Sequence, residues 1–255
     1  MKNQYFGDIG DYGKYGLLRF LAGHELTIAV NWYLTRNDQS NDGNIRGYLT
    51  KEKNRIYDPD LFDVLRRMCA QNKKDVCSFA GLGMIPGAGY FDKIVEPVLS
   101  TLTVSEKRLA RKQWHQEALA VCDGYDLVFL DPDNGLRAGT PTAKKDTVKF
   151  VYSSEAADYY ERGQDVVYYC HKGRRTDTQW EKAKNIMHEQ CPDAALMGIT
   201  YHRGTQRSYI FMIHPEHEVL YRDLLKGFLN TAWSDCFTDE FAYGQSTATN
   251  EQVVR

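Results

Sequence analysis

Residues 127–135 read Leu127-Val128-Phe129-Leu130-Asp131-Pro132-Asp133-Asn134-Gly135. Four consecutive apolar residues predict a short strand that is buried on both faces, as in a parallel sheet. The polar residues that follow fall at the carboxyl end of this strand, where open α/β sheets bind their ligands. Pro132 requires an extended residue before it, and Asn134-Gly135 favours a tight turn. The loop is therefore either a site that presents Asp131, Asp133 and Asn134 or simply a turn built from good turn-forming residues.

Segments with strand-like and helix-like patterns alternate along the rest of the chain. Strands are predicted at residues 26–33, 75–79, 127–130, 165–170, 195–201 and 207–213. Helices are predicted at residues 16–22, 59–69, 105–121, 178–190 and 218–229, and a further helix is expected to end near residue 162. This order is typical of an α/β fold with a doubly wound, mostly parallel sheet. The last two strands predict an antiparallel C-terminal edge hairpin.

The sequence gives no sign of a boundary between domains. No internal repeat or change of composition divides the chain, so we expect a single α/β domain over residues 1–244. Residues 37–60 are polar and predict a loop or a small insertion. Residues 245–255 are also polar and predict a disordered tail.

The composition is that of an ordinary soluble globular protein. The 255 residues are 42% hydrophobic and 26% charged, and the formal net charge is -2. No apolar run reaches the roughly 20 residues that span a bilayer, and the first residues lack the apolar core of a signal peptide. We therefore expect a cytoplasmic protein with no membrane partner.

The six cysteines form no C-x-x-C pair. Cys77, Cys122 and Cys170 lie beside apolar, strand-like residues, so buried free thiols are expected there rather than disulfides. The cysteines and histidines also lack the spacing that metal ligands usually show, and no cofactor motif is evident. We therefore expect neither a metal nor a cofactor.

A polar cluster at the start of the chain covers residues 6–19 and combines four glycines with Asp8, Asp11, Lys14 and Tyr15. Glycines permit a close approach of the backbone to a ligand. We expect these four side chains to contribute to substrate binding. The alternative is a flexible N-terminus that leads into the first helix.

Two other polar clusters follow predicted strands. Asn41 and Asp42 can bind ribose hydroxyls or a cation, although Asn-Asp-Gly is also a common turn. His171 is a candidate general acid, and Lys172 and Arg174 beside it can hold phosphates. All these clusters lie beside predicted strand ends or at the chain start, as a shared crevice requires.

Several short motifs form a recognisable set. They are Phe6-Gly7-Asp8, Asp11-Tyr12, Lys14-Tyr15, Leu17-Leu18-Arg19, Trp32-Tyr33-Leu34-Thr35, Asn41-Asp42-Gly43 and Asp131-Pro132-Asp133-Asn134-Gly135. Over roughly residues 5–215 the set resembles a largely uncharacterised family of bacterial and phage proteins. More distantly, Gly7, Asp11, Lys14 and Leu18 are similar to the opening motif of a family of ribosomal-RNA adenine N6-methyltransferases. This resemblance implies a Rossmann-like fold.

The chain departs from that methyltransferase family at two places. The family has an Asp-Pro-Pro-Tyr loop, whose second proline and aromatic residue grip a flipped base, whereas Asp133 and Asn134 stand there in this chain. A methyltransferase also has a Gly-rich turn after its first strand, and this chain has Thr35-Arg36-Asn37-Asp38 instead. These departures favour a different reaction on the same class of substrate.

Carboxylates on a strand-end loop suit hydrolysis of an N-glycosidic bond. Such hydrolysis passes through an oxocarbenium-like sugar, which one carboxylate stabilises while another orients water. Asn134 can hydrogen-bond a base edge, and aromatic rings can stack on a flipped base. In chain order, Asp131-Pro132 and His214-Pro215 weakly resemble the Asp-Pro loop and the late His-Pro motif of uracil-DNA glycosylases.

We therefore expect a nucleic-acid-processing enzyme, most concretely a DNA glycosylase-like hydrolase with a role in phage defence. The predicted catalytic residues are Asp131, Asp133, Asn134 and His171. The predicted substrate-binding residues are Asp8, Asp11, Lys14, Tyr15, Asn41, Asp42, Lys172 and Arg174. The expected partner is nucleic acid, DNA rather than RNA.

Three alternatives stay open. The first is an S-adenosylmethionine-dependent nucleic-acid methyltransferase with a divergent cofactor loop. The second is a Mg²⁺-dependent nuclease or phosphoesterase in which Asp8, Asp11, Asp131 and Asp133 hold one or two ions. The third is a degenerate Rossmann domain that binds a ligand without catalysis.

Overall fold

A computed structural model describes residues 1–40, 43–95, 102–142 and 145–241 of the chain. Its strands are β1 (Ile28–Asn31), β2 (Gly89–Phe91), β3 (Leu127–Leu130), β4 (Leu136–Arg137), β5 (Val151–Tyr152), β6 (Asp165–Cys170), β7 (Ala195–Tyr201), β8 (Arg207–Ile213) and β9 (Phe237–Asp239). Its α-helices are α1 (Ile9–Ala22), α2 (Pro59–Ala70), α3 (Val76–Ala80), α4 (Val104–Val121), α5 (Ser153–Tyr160), α6 (Asp177–Lys184), α7 (Ile186–Gln190) and α8 (Glu218–Leu229). Short 3₁₀ helices cover Asn3–Tyr5, Gly47–Thr50, Glu52–Ile56, Lys145–Lys149, Pro215–His217 and Ala232–Asp235.

A mixed seven-stranded sheet forms the centre of the fold, with the strand order β2-β1-β3-β6-β8-β7-β9. The first four strands in this order are parallel, and β8, β7 and β9 each pair antiparallel to their neighbours. The predicted α/β class and the C-terminal hairpin of β7 and β8 are therefore confirmed. The prediction missed β2 and β9, which form the two edges of this sheet.

Both faces of the sheet are covered, which explains the unbroken apolar run of β3 and the three apolar residues that begin β1. Successive side chains of a strand point to opposite faces. Leu127 and Phe129 pack into one hydrophobic cluster together with α1, whereas Val128 and Leu130 pack into a second cluster on the other face. In register, Asn31 lies opposite Leu130, so the loops that follow β1 and β3 emerge side by side.

Helix α1 begins at Ile9, seven residues before the predicted start, so the chain start is a buried helix and not a flexible arm. Asp8 caps it by accepting a hydrogen bond from the Gly10 amide at 2.7 Å. Glycine is a poor helix former, but packing requires it here. A Cβ on Gly10 would lie 2.3 Å from the Arg207 guanidinium, and one on Gly16 would lie 2.3 Å from the Trp233 ring.

Several predicted elements differ from those observed. The strand predicted at residues 75–79 is the helix α3, because Asp75 caps it through the Ser78 amide at 2.6 Å. Helix α4 is capped by Thr103, which forms a capping box with Glu106, and not by Ser105. The helix predicted at residues 178–190 consists of α6 and α7, which meet at Asn185.

Other expectations from the sequence have mixed outcomes. All six cysteines are free, and Cys122 and Cys170 are buried as expected, but Cys77 is exposed because it lies on α3 and not on a strand. The polar stretch 37–60 contains two 3₁₀ helices and buries Tyr48 and Leu49. The tail predicted at residues 245–255 lies outside the described residues. Within the part of the chain that is described, no helix is long and apolar enough to cross a membrane.

Candidate functional site

A pocket of about 640 Å³ opens at the carboxyl edge of the parallel strands. This volume lies within the range of pockets that hold small molecules or single nucleotides. Seven of the residues predicted from the sequence line it, namely Asp8, Asp11, Lys14, Asp131, Asp133, Asn134 and His171. The start of α1 and the loops after β3 and β6 therefore meet in one crevice, as their positions in the sequence predicted.

Lys14 lies between two carboxylates at the base of the pocket. Its Nζ is 2.8 Å from Asp11 Oδ1 and 2.7 Å from Asp131 Oδ2, and all three side chains are buried. Burial alone would lower the pKa of Lys14, but the two carboxylates together raise it. Burial raises the pKa of Asp11, because one ammonium group shared between two acids does not offset the loss of solvent. These three residues are called the Lys14 cluster below.

Asp8 and Arg207 form a second ion pair on the pocket wall, with Arg207 Nη2 2.8 Å from Asp8 Oδ1. The other oxygen, Asp8 Oδ2, accepts a hydrogen bond from the Ile45 amide at 3.0 Å. Asp8 is therefore held at both oxygens while it caps α1. Arg207 also donates to the carbonyls of Arg203 and Thr205, which fixes the β7–β8 turn beside the pocket.

Asp133 faces the amino group of Met1, which lies 2.8 Å from Asp133 Oδ1. The same amino group donates to the Asp131 carbonyl at 2.9 Å and to the Tyr33 carbonyl at 3.2 Å. Burial alone would raise the pKa of Asp133, but the Met1 amino group, with Lys2 and Lys149, holds it below its ordinary value. Asp133 is therefore an ionised carboxylate at neutral pH.

His171 and three tyrosines, Tyr5, Tyr169 and Tyr209, form the aromatic part of the pocket wall. His171 Nδ1 lies 3.5 Å from the Tyr169 hydroxyl. Burial lowers the pKa of His171, and the charges of Arg175 and Arg207 lower it further. His171 is therefore neutral at pH 7, which weakens its predicted role as a charged general acid. The hydroxyl of Tyr209 is buried and has no hydrogen-bond partner among the described residues.

Some predicted site residues do not line the pocket. Tyr15 is fully buried behind it and stacks on Phe79 with ring centroids 4.2 Å apart. Lys172 pairs with Asp177, and Arg174 is exposed on the same loop, outside the pocket wall. The positions of Asn41 and Asp42 lie outside the described residues.

His214 also lies far from the pocket. It pairs with Asp165 at the first residue of β6, whereas His171 follows the last residue of that strand. At about 3.3 Å per residue, six residues of strand separate the two sites by about 20 Å. His214-Pro215 and Asp131-Pro132 therefore cannot act in one site, and the motif pairing that suggested uracil-DNA glycosylases does not hold in space.

Several residues on the pocket wall were not selected from the sequence, among them Tyr5, Lys149, Tyr169, Arg207 and Tyr209. Tyr169 and Tyr209 are opposite each other in the pairing of β6 with β8. Arg207 begins β8 directly after a turn, and a basic residue at that position was the one available signal. Tyr209 comes near the site through the order of the strands, which the sequence did not specify, and Tyr5 and Lys149 lie on short 3₁₀ helices.

The pocket acids are already matched with cations. Lys14, Arg207 and the Met1 amino group each contact at least one of them. A Mg²⁺ ion bound by Asp8, Asp11, Asp131 and Asp133 would have to displace these groups. Among the described residues, the one group with the spacing of metal ligands consists of Asp165, His214 and His217, at the opposite edge of the sheet.

Comparisons with known proteins do not assign the chain to a family. No protein-family model matches the chain. No curated protein matches it either. Among solved structures, the chain is similar to the protein LPL1258 from Legionella pneumophila str. Philadelphia 1, assigned to family model DUF519, with a TM-score of 0.45 and 10% sequence identity. That match covers 92% of this chain and 95% of the other.

Proposed function

We propose that the pocket hydrolyses an N-glycosidic bond of a nucleotide, with DNA as the first substrate class to test. The observation that carries the proposal is the charge imbalance of the Lys14 cluster. Two buried carboxylates, on Asp11 and Asp131, share the single ammonium group of Lys14, whereas the other two pocket acids, Asp8 and Asp133, each have a cationic partner of their own. An excess negative charge in a low-dielectric pocket stabilises a cation that develops during reaction.

The reaction needs that stabilisation at the sugar. As the bond from C1′ to the base nitrogen breaks, the base takes the electron pair and C1′ becomes an oxocarbenium-like cation. Water then adds its hydroxyl to C1′, and its remaining proton compensates the charge of the departing base. Asp133 is the carboxylate assigned to the cation, because its lowered pKa keeps it charged at neutral pH. Asp131, held by Lys14, is assigned to orient the water.

The remaining pocket residues suit the other parts of a nucleotide. The neutral ring of His171 can donate a hydrogen bond to the departing base, so it acts without a charged imidazolium. Asn134 presents an amide for a base edge, and Tyr5 offers a ring for stacking. Arg207 and the exposed Lys149 replace Lys172 and Arg174 as the groups assigned to phosphate.

Methyl transfer is the second candidate, because Asp131-Pro132 ends β3 beside β1, where Rossmann-like sheets hold a nucleotide-containing cofactor. In the sheet, β2 lies on one side of β1 and β3 lies on the other. The topological switch point, where the strand order reverses direction, therefore lies between β1 and β3. Protein atoms fill this position. Trp32 and Tyr33 are fully buried there, and the Met1 amino group bonds the Tyr33 and Asp131 carbonyls. A methyl-donor cofactor would have to displace Met1, which is why hydrolysis is preferred.

The first experiment is a screen for base release. Purified protein is incubated with modified and unmodified phage genomic DNAs, with and without EDTA, then treated with mild alkali. Strand breaks are measured on gels and the free base by mass spectrometry. Hydrolysis predicts alkali-labile breaks and a free base without added metal, both lost in Asp131→Asn and kept in Asp123→Asn, which changes an exposed acid.

The screen separates the candidate functions. Breaks that vanish in EDTA and appear without alkali would indicate a metal-dependent nuclease and overturn the proposal. Incorporation of label from S-adenosylmethionine, with no base released, would move the assignment to methyl transfer. If activity survives in both Asp131→Asn and Asp133→Asn, the loop after β3 is not part of the catalytic site. A phage-defence role predicts in addition that expression of the wild type, and not of Asp133→Asn, reduces phage plating.

A further inference from the structure

The amino edge of the sheet carries a compact cluster of one carboxylate and two imidazoles. Asp165 is 2% exposed, and its two oxygens face two rings. Oδ1 lies 2.9 Å from His214 Nδ1, and Oδ2 lies 2.8 Å from His217 Nδ1. One nitrogen or oxygen atom from each of the three residues lies within 4.8 Å of the others. Nothing in the pocket chemistry uses this cluster.

The fold brings these residues together from distant parts of the chain. Strand β8 runs antiparallel to β6, with Met212 opposite Val166, so His214 arrives beside the first residue of β6. Residues Pro215–His217 form a 3₁₀ helix. Because side chains three residues apart are eclipsed in such a helix, His214 and His217 lie on the same side of it. Strand pairing creates this cluster, so the spacing of the three residues along the sequence does not reveal it.

Both ring nitrogens of His214 face hydrogen-bond acceptors, and a bound cation would satisfy one of them. Nε2 lies 3.1 Å from the Tyr160 carbonyl, and Nδ1 lies 2.9 Å from the Asp165 carboxylate, so both ring nitrogens face acceptors. A neutral imidazole has a single N–H. If Nε2 donates to Tyr160, the Nδ1 lone pair points at a carboxylate. Histidines that bind metals characteristically donate their other N–H to a carbonyl or a carboxylate, which is the arrangement seen here.

We propose that Asp165, His214 and His217 bind one divalent transition-metal ion of the zinc type. Imidazole nitrogen and carboxylate oxygen are both common zinc ligands. The side chain of His217 is 45% exposed, which gives the ion a path from solvent and leaves room for a water ligand. The ion would tie the start of β6 to the segment between β8 and α8. At about 20 Å from the pocket, this site stabilises the fold and takes no part in the pocket chemistry.

The test measures Zn²⁺ binding to the full chain after treatment with a chelator. Calorimetric titration with ZnCl₂ is expected to show one site per chain, and the metal is expected to raise the melting temperature, because a ligand that binds the folded state stabilises it. His217→Ala is expected to weaken binding at least about tenfold, since it removes a ligand. His202→Ala is the control, because His202 is exposed in the β7–β8 turn and bonds Thr238, far from Asp165 in the sheet.

A second measurement needs no variant. Co²⁺ bound to the wild type should show visible d–d absorption that Zn²⁺ abolishes. Absence of a 1:1 site for either ion would overturn the proposal, as would equal affinity in His217→Ala and in the wild type. In that case, the cluster would be a set of structural hydrogen bonds between Asp165 and the two histidines.

Discussion

Two buried ionic clusters of this protein differ in how they balance charge. Arg111 meets Glu155 through two contacts, Nε to Oε1 at 2.7 Å and Nη2 to Oε2 at 2.8 Å, and Arg111 also donates to the Phe150 carbonyl. Burial alone would raise the pKa of Glu155, but Arg111 holds it below its ordinary value. This pair is one cation with one anion, it joins α4 to α5, and it does not line the pocket.

The Lys14 cluster, by contrast, has one cation for two anions and lines the pocket. Burial therefore raises the pKa of Asp11, the reverse of the direction at Glu155. A buried pair with equal positive and negative charge stabilises one arrangement of the fold. A buried cluster with an excess of negative charge instead produces an electric field that can stabilise positive charge on a reacting substrate. The difference distinguishes the structural ion pair from the cluster to which we assign the proposed reaction.

The largest expected effect on stability comes from a substitution in the balanced ion pair of Arg111 and Glu155. Arg111→Met leaves Glu155 buried and uncompensated, so the free energy of unfolding should fall by about 3–5 kcal/mol. Urea denaturation measures it, and Arg108→Met, an exposed arginine on the same helix, serves as the control. A loss no larger than that of the control would mean that the pair is not structural.

Asp133 should give the next largest effect, as a dependence of stability on pH. Its folded pKa lies below its unfolded value, so its contribution to stability is complete above the ordinary aspartate pKa of about 3.9 and is lost as the pH falls through the folded value. Each unit of difference contributes about 1.4 kcal/mol. Asp133→Asn should therefore flatten the acid limb of a plot of unfolding free energy against pH. An unchanged limb would show that Asp133 has no cationic partner in solution.

Arg207 can be displaced without touching its own side chain. In Gly10→Ala the new Cβ would lie 2.3 Å from the guanidinium, so Arg207 must leave Asp8, while alanine improves the helix propensity of α1. We expect KM for a nucleotide substrate to rise by up to about tenfold, equivalent to about 1.4 kcal/mol, with the fold retained. Gly47→Ala is the matched control, since its Cβ would meet nothing within 4 Å. Equal KM values in the two variants would remove Arg207 from substrate binding.

The smallest effect on stability is expected at Asp11 in the Lys14 cluster, where negative charge is in excess. Asp11→Asn leaves Lys14 paired with Asp131, and the amide oxygen can still accept from the Gly7 amide that now bonds Asp11 at 3.0 Å. Because the folded pKa of Asp11 is raised, its ionisation costs stability above the ordinary aspartate range. The variant should therefore match the wild type in acid and equal or exceed it at neutral pH, within about 1 kcal/mol. A loss of several kcal/mol at neutral pH would place Asp11 in a balanced pair.

The sequence predicted the parts of the site that depend on local rules. The four apolar residues before Asp131 identified a buried strand, and parallel strands present their following loops at one edge, so Asp131, Asp133 and His171 were expected together. Helix α1 was placed too late because its glycines count against a helix, and only packing against Arg207, Tyr201 and Trp233 explains them. The segment at residues 75–79, with Val76, Cys77 and Phe79 as its apolar residues, was too short to distinguish strand from helix by periodicity.

What the sequence did not reveal depends on strand order and pairing. Arg207 enters the pocket because β8 lies next to β6, and the Asp165 cluster forms for the same reason at the opposite edge. The ion pair of Asp133 with the Met1 amino group joins positions 132 residues apart, and no local pattern signals it. Contacts of this kind follow from topology and not from the composition of any segment.

The proposed hydrolysis is tested most directly by the rate of base release in a single turnover, measured with the substrate found in the screen. The rate is compared between the wild type, Asp133→Asn and Asp123→Asn. If Asp133 stabilises the sugar cation, Asp133→Asn should be at least about a hundredfold slower, with its circular dichroism unchanged. Asp123→Asn, which changes an acid exposed far from the pocket wall, should match the wild type. Base release by Asp133→Asn at the wild-type rate would contradict the assignment of the pocket to glycosidic hydrolysis through this carboxylate.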